Sequence, residues 1–115
     1  MANALTPPAR LTRRAEFLRL AARGQKLAKH GFVLQAAKDG QGDALCVGYT
    51  ATKKIGNAVI RNRAKRRLRE AARLVLAGRA LPGVELVLIA RRETAEIEFS
   101  RLRQNLAKAL DEALA

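Results

Sequence analysis

Cysteine and histidine are nearly absent: the 115-residue chain holds one of each, Cys46 and His30. A lone cysteine excludes an internal disulfide, and one Cys with one His excludes a closed four-ligand zinc site built from those donors. Both shortages fit a reducing, cytoplasmic setting. Aromatics are scarce too, one tyrosine and three phenylalanines with no tryptophan, so a core has to be assembled from aliphatic side chains. No apolar run reaches membrane-spanning length. The densest, Val84 to Ala90, is strand-sized and contains Glu85, and Met1 to Leu11 lacks the apolar stretch of a secretory signal. The most telling scarcity is of acids, since 10 Asp plus Glu face 23 Lys plus Arg and leave a net charge of +13. Self-repulsion on that scale is relieved by a polyanionic partner, and RNA, DNA and an anionic membrane surface are the candidates.

The length suits a single domain, and 49% hydrophobic residues supply its core. Residues 1–10, with Pro7 and Pro8, read as a flexible segment, and 11–115 as the domain. Thr12 to Arg23 has helical spacing at Phe17, Leu20 and Ala21, with Thr12 as N-cap and Gly24 as the stop. Gly31 to Ala37 and Ala44 to Ala51 are β-rich runs separated by Lys38 to Asp43, whose Asp-Gly and Gly-Asp pairs favour a reversal. The spacing predicts a hairpin there, and a short extra strand fits Lys26 to His30. A long helix is expected over Asn57 to Ala77, bounded by Gly56 and Gly78, then a buried strand at Val84 to Arg91. A last helix over Phe99 to Ala113 carries Leu102, Leu106 and Leu110 at intervals of four. The fold class is α+β, one sheet with helices packed on it.

Charge concentrates in one place. Lys53 to Arg73 contains nine basic residues and one acid, Glu70, so this window carries +8 of the chain's +13. On a helical wheel Ile60, Ala64, Leu68, Ala71, Ala72 and Val75 form an apolar stripe for the sheet. Arg61 and Lys65 border it, Arg69, Arg73 and Arg66 follow, and Arg63 and Arg67 take the far side. Like charges at i and i+4 weaken an isolated helix, so stability alone does not account for this face. Arginine outnumbers lysine, which favours bidentate phosphate recognition. Lys53 and Lys54 precede a helix N-terminus whose free N–H groups attract anions, while Gly56 and Asn57 suit a turn and an N-cap as well. Asn62 adds a donor and an acceptor for a sugar hydroxyl or base edge.

The run Thr52-Lys53-Lys54-Ile55-Gly56-Asn57-Ala58-Val59-Ile60-Arg61-Asn62-Arg63-Ala64-Lys65-Arg66-Arg67-Leu68-Arg69-Glu70 closely resembles the signature of the bacterial ribonuclease P protein subunit, with its Arg-Asn-Arg motif. Arg10-Leu11 with Glu16-Phe17, Gly31 to Leu34, Val47-Gly48 and Val87 to Arg91 resemble further parts of that family, so nearly the whole chain is covered. The resemblance implies an αβββαβα order with a left-handed βαβ crossover, a catalytic ribonuclease P RNA and precursor tRNA as partners, and Mg²⁺ held by the RNA. It implies no DNA or membrane partner and no catalytic residue in this chain. It places Lys53, Lys54, Asn57, Arg61, Asn62, Arg63, Lys65, Arg66 and Arg69 on the catalytic RNA, and leaves Arg67, often apolar in the family, without an assigned role. Phe17 and Phe32 match positions in a cleft for the single-stranded 5′ leader, and plain core positions suit them equally. Other members commonly carry aromatics where Ala21 and Gln35 stand, which implies weaker or more polar leader contacts.

Rival readings have less support in the residues. Glu93, Glu96 and Glu98 are the one carboxylate cluster that metal-assisted cleavage would need, yet their place before the last helix suits its dipole. Asn62 to Arg67 resembles the basic segment of zipper proteins, but Gly78 and Pro82 end the helix where leucine heptads would have to continue. A membrane-surface helix lacks the Trp or Phe anchors. General RNA binding is the runner-up, since charge and fold permit it.

Overall fold

Apolar and β-branched runs pair into a five-stranded sheet, with strands β1 (Ala9–Arg10), β2 (Gln25–Lys29), β3 (Phe32–Ala37), β4 (Cys46–Thr50) and β5 (Glu85–Ala90). Two helices accompany it, α1 (Ala58–Leu76) and α2 (Phe99–Ala113), with single 3-10 turns at Lys53–Ile55 and Arg92–Ala95. These elements come from a computed structural model that describes residues 9–10, 25–38, 45–79 and 81–114. The helix expected over Thr12 to Arg23, with Phe17 and Ala21, lies outside the described residues. The α+β class and the expected succession from Gln25 onward hold.

Strand order is β1-β4-β5-β3-β2, which corrects two expectations. The runs read as a hairpin, β3 and β4, do not pair with each other. β5 lies between them, antiparallel to β3 and parallel to β4. The reason is burial: five of the six residues of β5 are buried, and only a central strand is covered on both faces. Among the described residues the hairpin is β2 with β3, turning at His30 and Gly31. Pairing also begins earlier than the expected Leu11, because Ala9 and Arg10 lie parallel to Cys46 and Val47.

Side-chain alternation gives the sheet two faces. Phe32, Leu34, Ala36, Val47, Leu86, Leu88 and Ala90 meet Ala64, Leu68, Ala71, Ala72 and Leu76 of α1 and Leu102, Leu106, Ala109, Leu110 and Ala113 of α2. Each fully buried leucine there contributes about 1.5–3 kcal/mol through removal from water. On the opposite face Ala37 and Val87 pack with Cys46 and Ile89. Cys46 is therefore half-buried rather than fully enclosed.

The β2–β3 turn is fastened to the approach of α2. Gly31 has φ +105°, and a Cβ there would stand 3.0 Å from Leu102 and 3.3 Å from Ile97, so a side chain is excluded by both backbone and space. The Gly31 N–H donates to Glu93 Oε2 at 3.2 Å, and the Thr94 hydroxyl donates to the Gly31 carbonyl. Asn105 Nδ2 donates to the His30 carbonyl at 3.0 Å. Through these bonds the Arg92–Ala95 turn is held against the sheet, and α1 docks on that turn.

Candidate nucleic-acid interface

The start of α1 is built by three consecutive devices. Lys53–Ile55 forms a 3-10 turn, closed by the Gly56 N–H donating to the Lys53 carbonyl at 3.3 Å. Gly56 then takes φ +148°, where a Cβ would lie 3.0 Å from Ile60. Asn57 caps the helix, its Oδ1 accepting from the Ile60 N–H at 3.0 Å. Lys53, Lys54 and Asn57 all stand beside the helix N-terminus, the two lysines exposed, where the helix dipole adds positive potential. Asn57 thus has a structural task in addition to any contact its amide nitrogen makes.

From this cap the helix presents three flanks. Ala64, Leu68, Ala71, Ala72 and Leu76 are buried against sheet and α2. Arg61, Lys65 and Arg69 share one row, and the guanidinium of Arg69 lies 5.5 Å from the centroid of the Tyr49 ring, which turns that row toward β4. Arg61 and Lys65 are half-buried there, and Arg61 Nε is buried without a hydrogen-bond partner. Asn62, Arg66, Arg69 and Arg73 are exposed. Arg73 is committed to Glu70 at 2.5 Å, a pair that lowers the Glu70 pKa and raises that of Arg73 through their hydrogen bond. Arg66, Lys53 and Lys54 make no ion pair among the described residues. Ile60, expected in the apolar stripe, is 38% exposed, since the first turn of α1 projects past the core.

Arg63 and Arg67 depart from the wheel. Arg67 Nη1 donates to the Ala95 carbonyl at 2.8 Å and Nη2 to that of Ile97, and Arg63 Nε reaches the same Ala95 carbonyl at 3.1 Å. Their flank is not the far side but the seam between α1 and the segment leading into α2. Burial, followed by the nearby Arg63 charge, lowers the pKa of Arg67. Arg67 therefore acts as a strut of the fold, whereas Arg63 stays exposed and divides its guanidinium between Ala95 and solvent.

Other candidates are placed as follows. Phe32 is completely buried, with Leu34 and Ala36, on the helix-covered face. That corrects its assignment to a leader cleft: a ring at 0% exposure has no face to offer a base. Phe17 lies outside the described residues. The carboxylates do not complement α2 as a set. Glu93 binds the Gly31 turn and lies 3.3 Å from Arg91 Nε and 3.6 Å from His30 Nδ1. Glu98 stands at the N-cap of α2 without capping it, its carboxylate accepting from the Ser100 hydroxyl instead. Partial burial opposes the charge of Glu93, but its own N–H, the Gly31 N–H, Arg91 and His30 outweigh that and lower its pKa. Among the described residues no group of three His, Cys, Asp or Glu is placed to hold a metal ion. Nor is any described helix long and apolar enough to cross a membrane. Tyr49 is a site residue that sequence reasoning does not single out; the signal for it is its position as the only tyrosine, one strand before the basic helix.

A family model for ribonuclease P matches residues 5–114. The chain belongs to the ribonuclease P protein family. It is 49% identical over 104 residues to the ribonuclease P protein component of Gluconacetobacter diazotrophicus, covering 90% of each chain. To that of Paramagnetospirillum magneticum it is 50% identical over 105 residues, covering 88% of this chain and 79% of the other. The solved RNase P protein of Staphylococcus aureus has the same fold, with a TM-score of 0.77 at 26% identity over 93% of this chain and 96% of that one. Ribonuclease P family membership makes this chain a protein subunit of tRNA 5′-end processing, part of an endoribonuclease complex with an RNA partner.

Proposed function

We propose that the chain binds the catalytic RNA of ribonuclease P through the exposed face of α1 and the turn ahead of it, in the cytoplasm. The RNA with its Mg²⁺ ions then cuts the phosphodiester that releases the 5′ leader of precursor tRNA. One observation carries this reading: Lys53, Lys54, Arg66 and Arg69 lie exposed on α1 and the turn beside its N-terminus, and none is neutralised by an acid among the described residues. Such a surface binds closely spaced phosphates, and its guanidiniums favour paired contacts. Asn57 and Asn62 offer amides to sugar or base edges. Arg61, Lys65 and Arg63 flank the surface, and the buried Nε of Arg61 has no hydrogen-bond partner within the fold.

Leader contact falls to the sheet face opposite α1 and α2, with Phe17 a candidate from the first segment. On β3 the residues for it are Val33 and Gln35, both half-buried, in place of Phe32. The metal chemistry belongs, in this reading, to the RNA. The test is binding of ribonuclease P RNA across a salt series. Removing one phosphate contact flattens the log–log salt slope by about 0.7–0.9, so Arg66→Ala and Arg69→Ala are expected to weaken binding and flatten the slope by about that much each. Unchanged slopes in both would remove α1 from the interface.

A further inference from the structure

One feature of the basic face is not basic. Among the described residues the exposed large hydrophobics are Val59, at 76%, and Ile60, at 38%, and both belong to the first turn of the most cationic segment in the chain. Ile60 has a structural contact, since its side chain lies over Gly56. Val59 points outward. It shares one helix face with Asn62, Arg63 and Arg66, at i, i+3, i+4 and i+7, and all four are exposed. A β-branched residue in an exposed helical turn is less favourable than alanine and gains nothing from burial there.

A partner for this face must bring an anion and an apolar surface within one helical turn of each other. An unpaired nucleotide does both, because its phosphate and its base lie on the same unit. A paired duplex hides its base faces in the stack and presents mainly its backbone. We infer that Val59 is an RNA-contact residue, packing on the sugar or base face of an unpaired nucleotide of the RNA partner while Arg66 holds a neighbouring phosphate. The inference rests on the proposed binding of RNA by α1. It adds to that reading a contact whose contribution comes from apolar burial and is therefore insensitive to salt, unlike the arginine contacts around it.

The experiment measures the affinity of the full chain for ribonuclease P RNA across a salt series, with Val59→Thr, Val59→Ile and Arg66→Ala. Threonine keeps the shape and helix propensity of valine but replaces a methyl with a hydroxyl. Val59→Thr is expected to bind about three- to tenfold more weakly at every salt concentration, on a line parallel to that of the unaltered chain. Val59→Ile is expected to bind within about twofold of the unaltered chain, and both variants to melt at its temperature. Wild-type affinity in Val59→Thr overturns the inference, and so does a lowered melting temperature that accounts for the weaker binding. Loss of self-association with RNA affinity intact would assign the patch to a second copy of the chain and overturn it equally. If Arg66→Ala leaves the salt slope unchanged, the wider reading of α1 fails first, and that failure is read separately from the Val59 arm.

Discussion

Arg66 and Arg67 are neighbours of identical chemistry with opposite tasks, decided by a rotation of about 100° around the helix axis. Arg66 faces solvent, while Arg67 spans the seam to the Ala95 and Ile97 carbonyls. Arg67→Ala removes two charge-assisted bonds, leaving the Ile97 carbonyl without its arginine donor and the Ala95 carbonyl with Arg63 alone, and is expected to destabilise the fold by about 1–3 kcal/mol. Chemical denaturation checks this; a stability equal to that of Arg66→Ala would contradict the strut assignment. Glu93 makes a second prediction. Its pKa is depressed in the folded chain, so its contribution is present above the unfolded carboxyl value, roughly 4.3, and is lost as pH falls through the lower folded value. Glu93→Gln is expected to cost about 1 kcal/mol near neutrality and to lose part of the acid-side fall in stability. Melts from neutral pH down through the carboxyl range test it, and a variant whose profile parallels that of the unaltered chain would show that Glu93 is not a titrating clasp of the Gly31 turn.

The basic helix is largely legible from local signals. An amide before a periodic run and a glycine after it predict Asn57 to Ala77; the helix spans Ala58–Leu76 with Asn57 as the cap. Leu102, Leu106 and Leu110 likewise locate α2 and its buried face. Three things are not legible, all for want of long-range information. Turn-forming residues after β3 suggest a hairpin, but strand order depends on which strand must be covered on both faces, and that strand, β5, comes only after the whole of α1. The wheel assigns one buried stripe to α1, whereas the helix docks on two neighbours, so local spacing alone turns the flank with Arg63 and Arg67 toward solvent. Phe32 is ambiguous in sequence because alternation tells that neighbours in β3 face opposite ways, not which face the helices cover. The turn before α1 supplies a prediction of its own. Gly56→Ala puts a Cβ 3.0 Å from Ile60 in a backbone conformation that L residues rarely adopt, so it is expected to cost about 1–3 kcal/mol and to weaken RNA binding by displacing Lys53 and Lys54. Unfolding curves and RNA affinity are the readouts, and a variant as stable and as tight-binding as the unaltered chain would contradict the fit described for this turn.

Taken whole, the molecule divides its labour between the two sides of α1. One side closes an aliphatic core over the sheet together with α2, and the other exposes Lys53, Lys54, Arg66 and Arg69, which no acid among the described residues neutralises. Among the described residues Glu93 is engaged at the Gly31 turn, Glu112 with Lys29 and Asp111 with Arg79, and Glu70, on α1 itself, is paired with Arg73. A net charge of +13 then becomes a directed surface rather than a diffuse one. On the proposed reading this surface serves an RNA that does the cutting. The most direct measurement is cleavage of a precursor tRNA at low Mg²⁺ by bacterial ribonuclease P RNA alone, by this chain alone and by the two together. Cleavage at the mature 5′ end only in the combined reaction is the predicted result; RNA binding without any gain in cleavage, or cleavage by the chain alone, would contradict it.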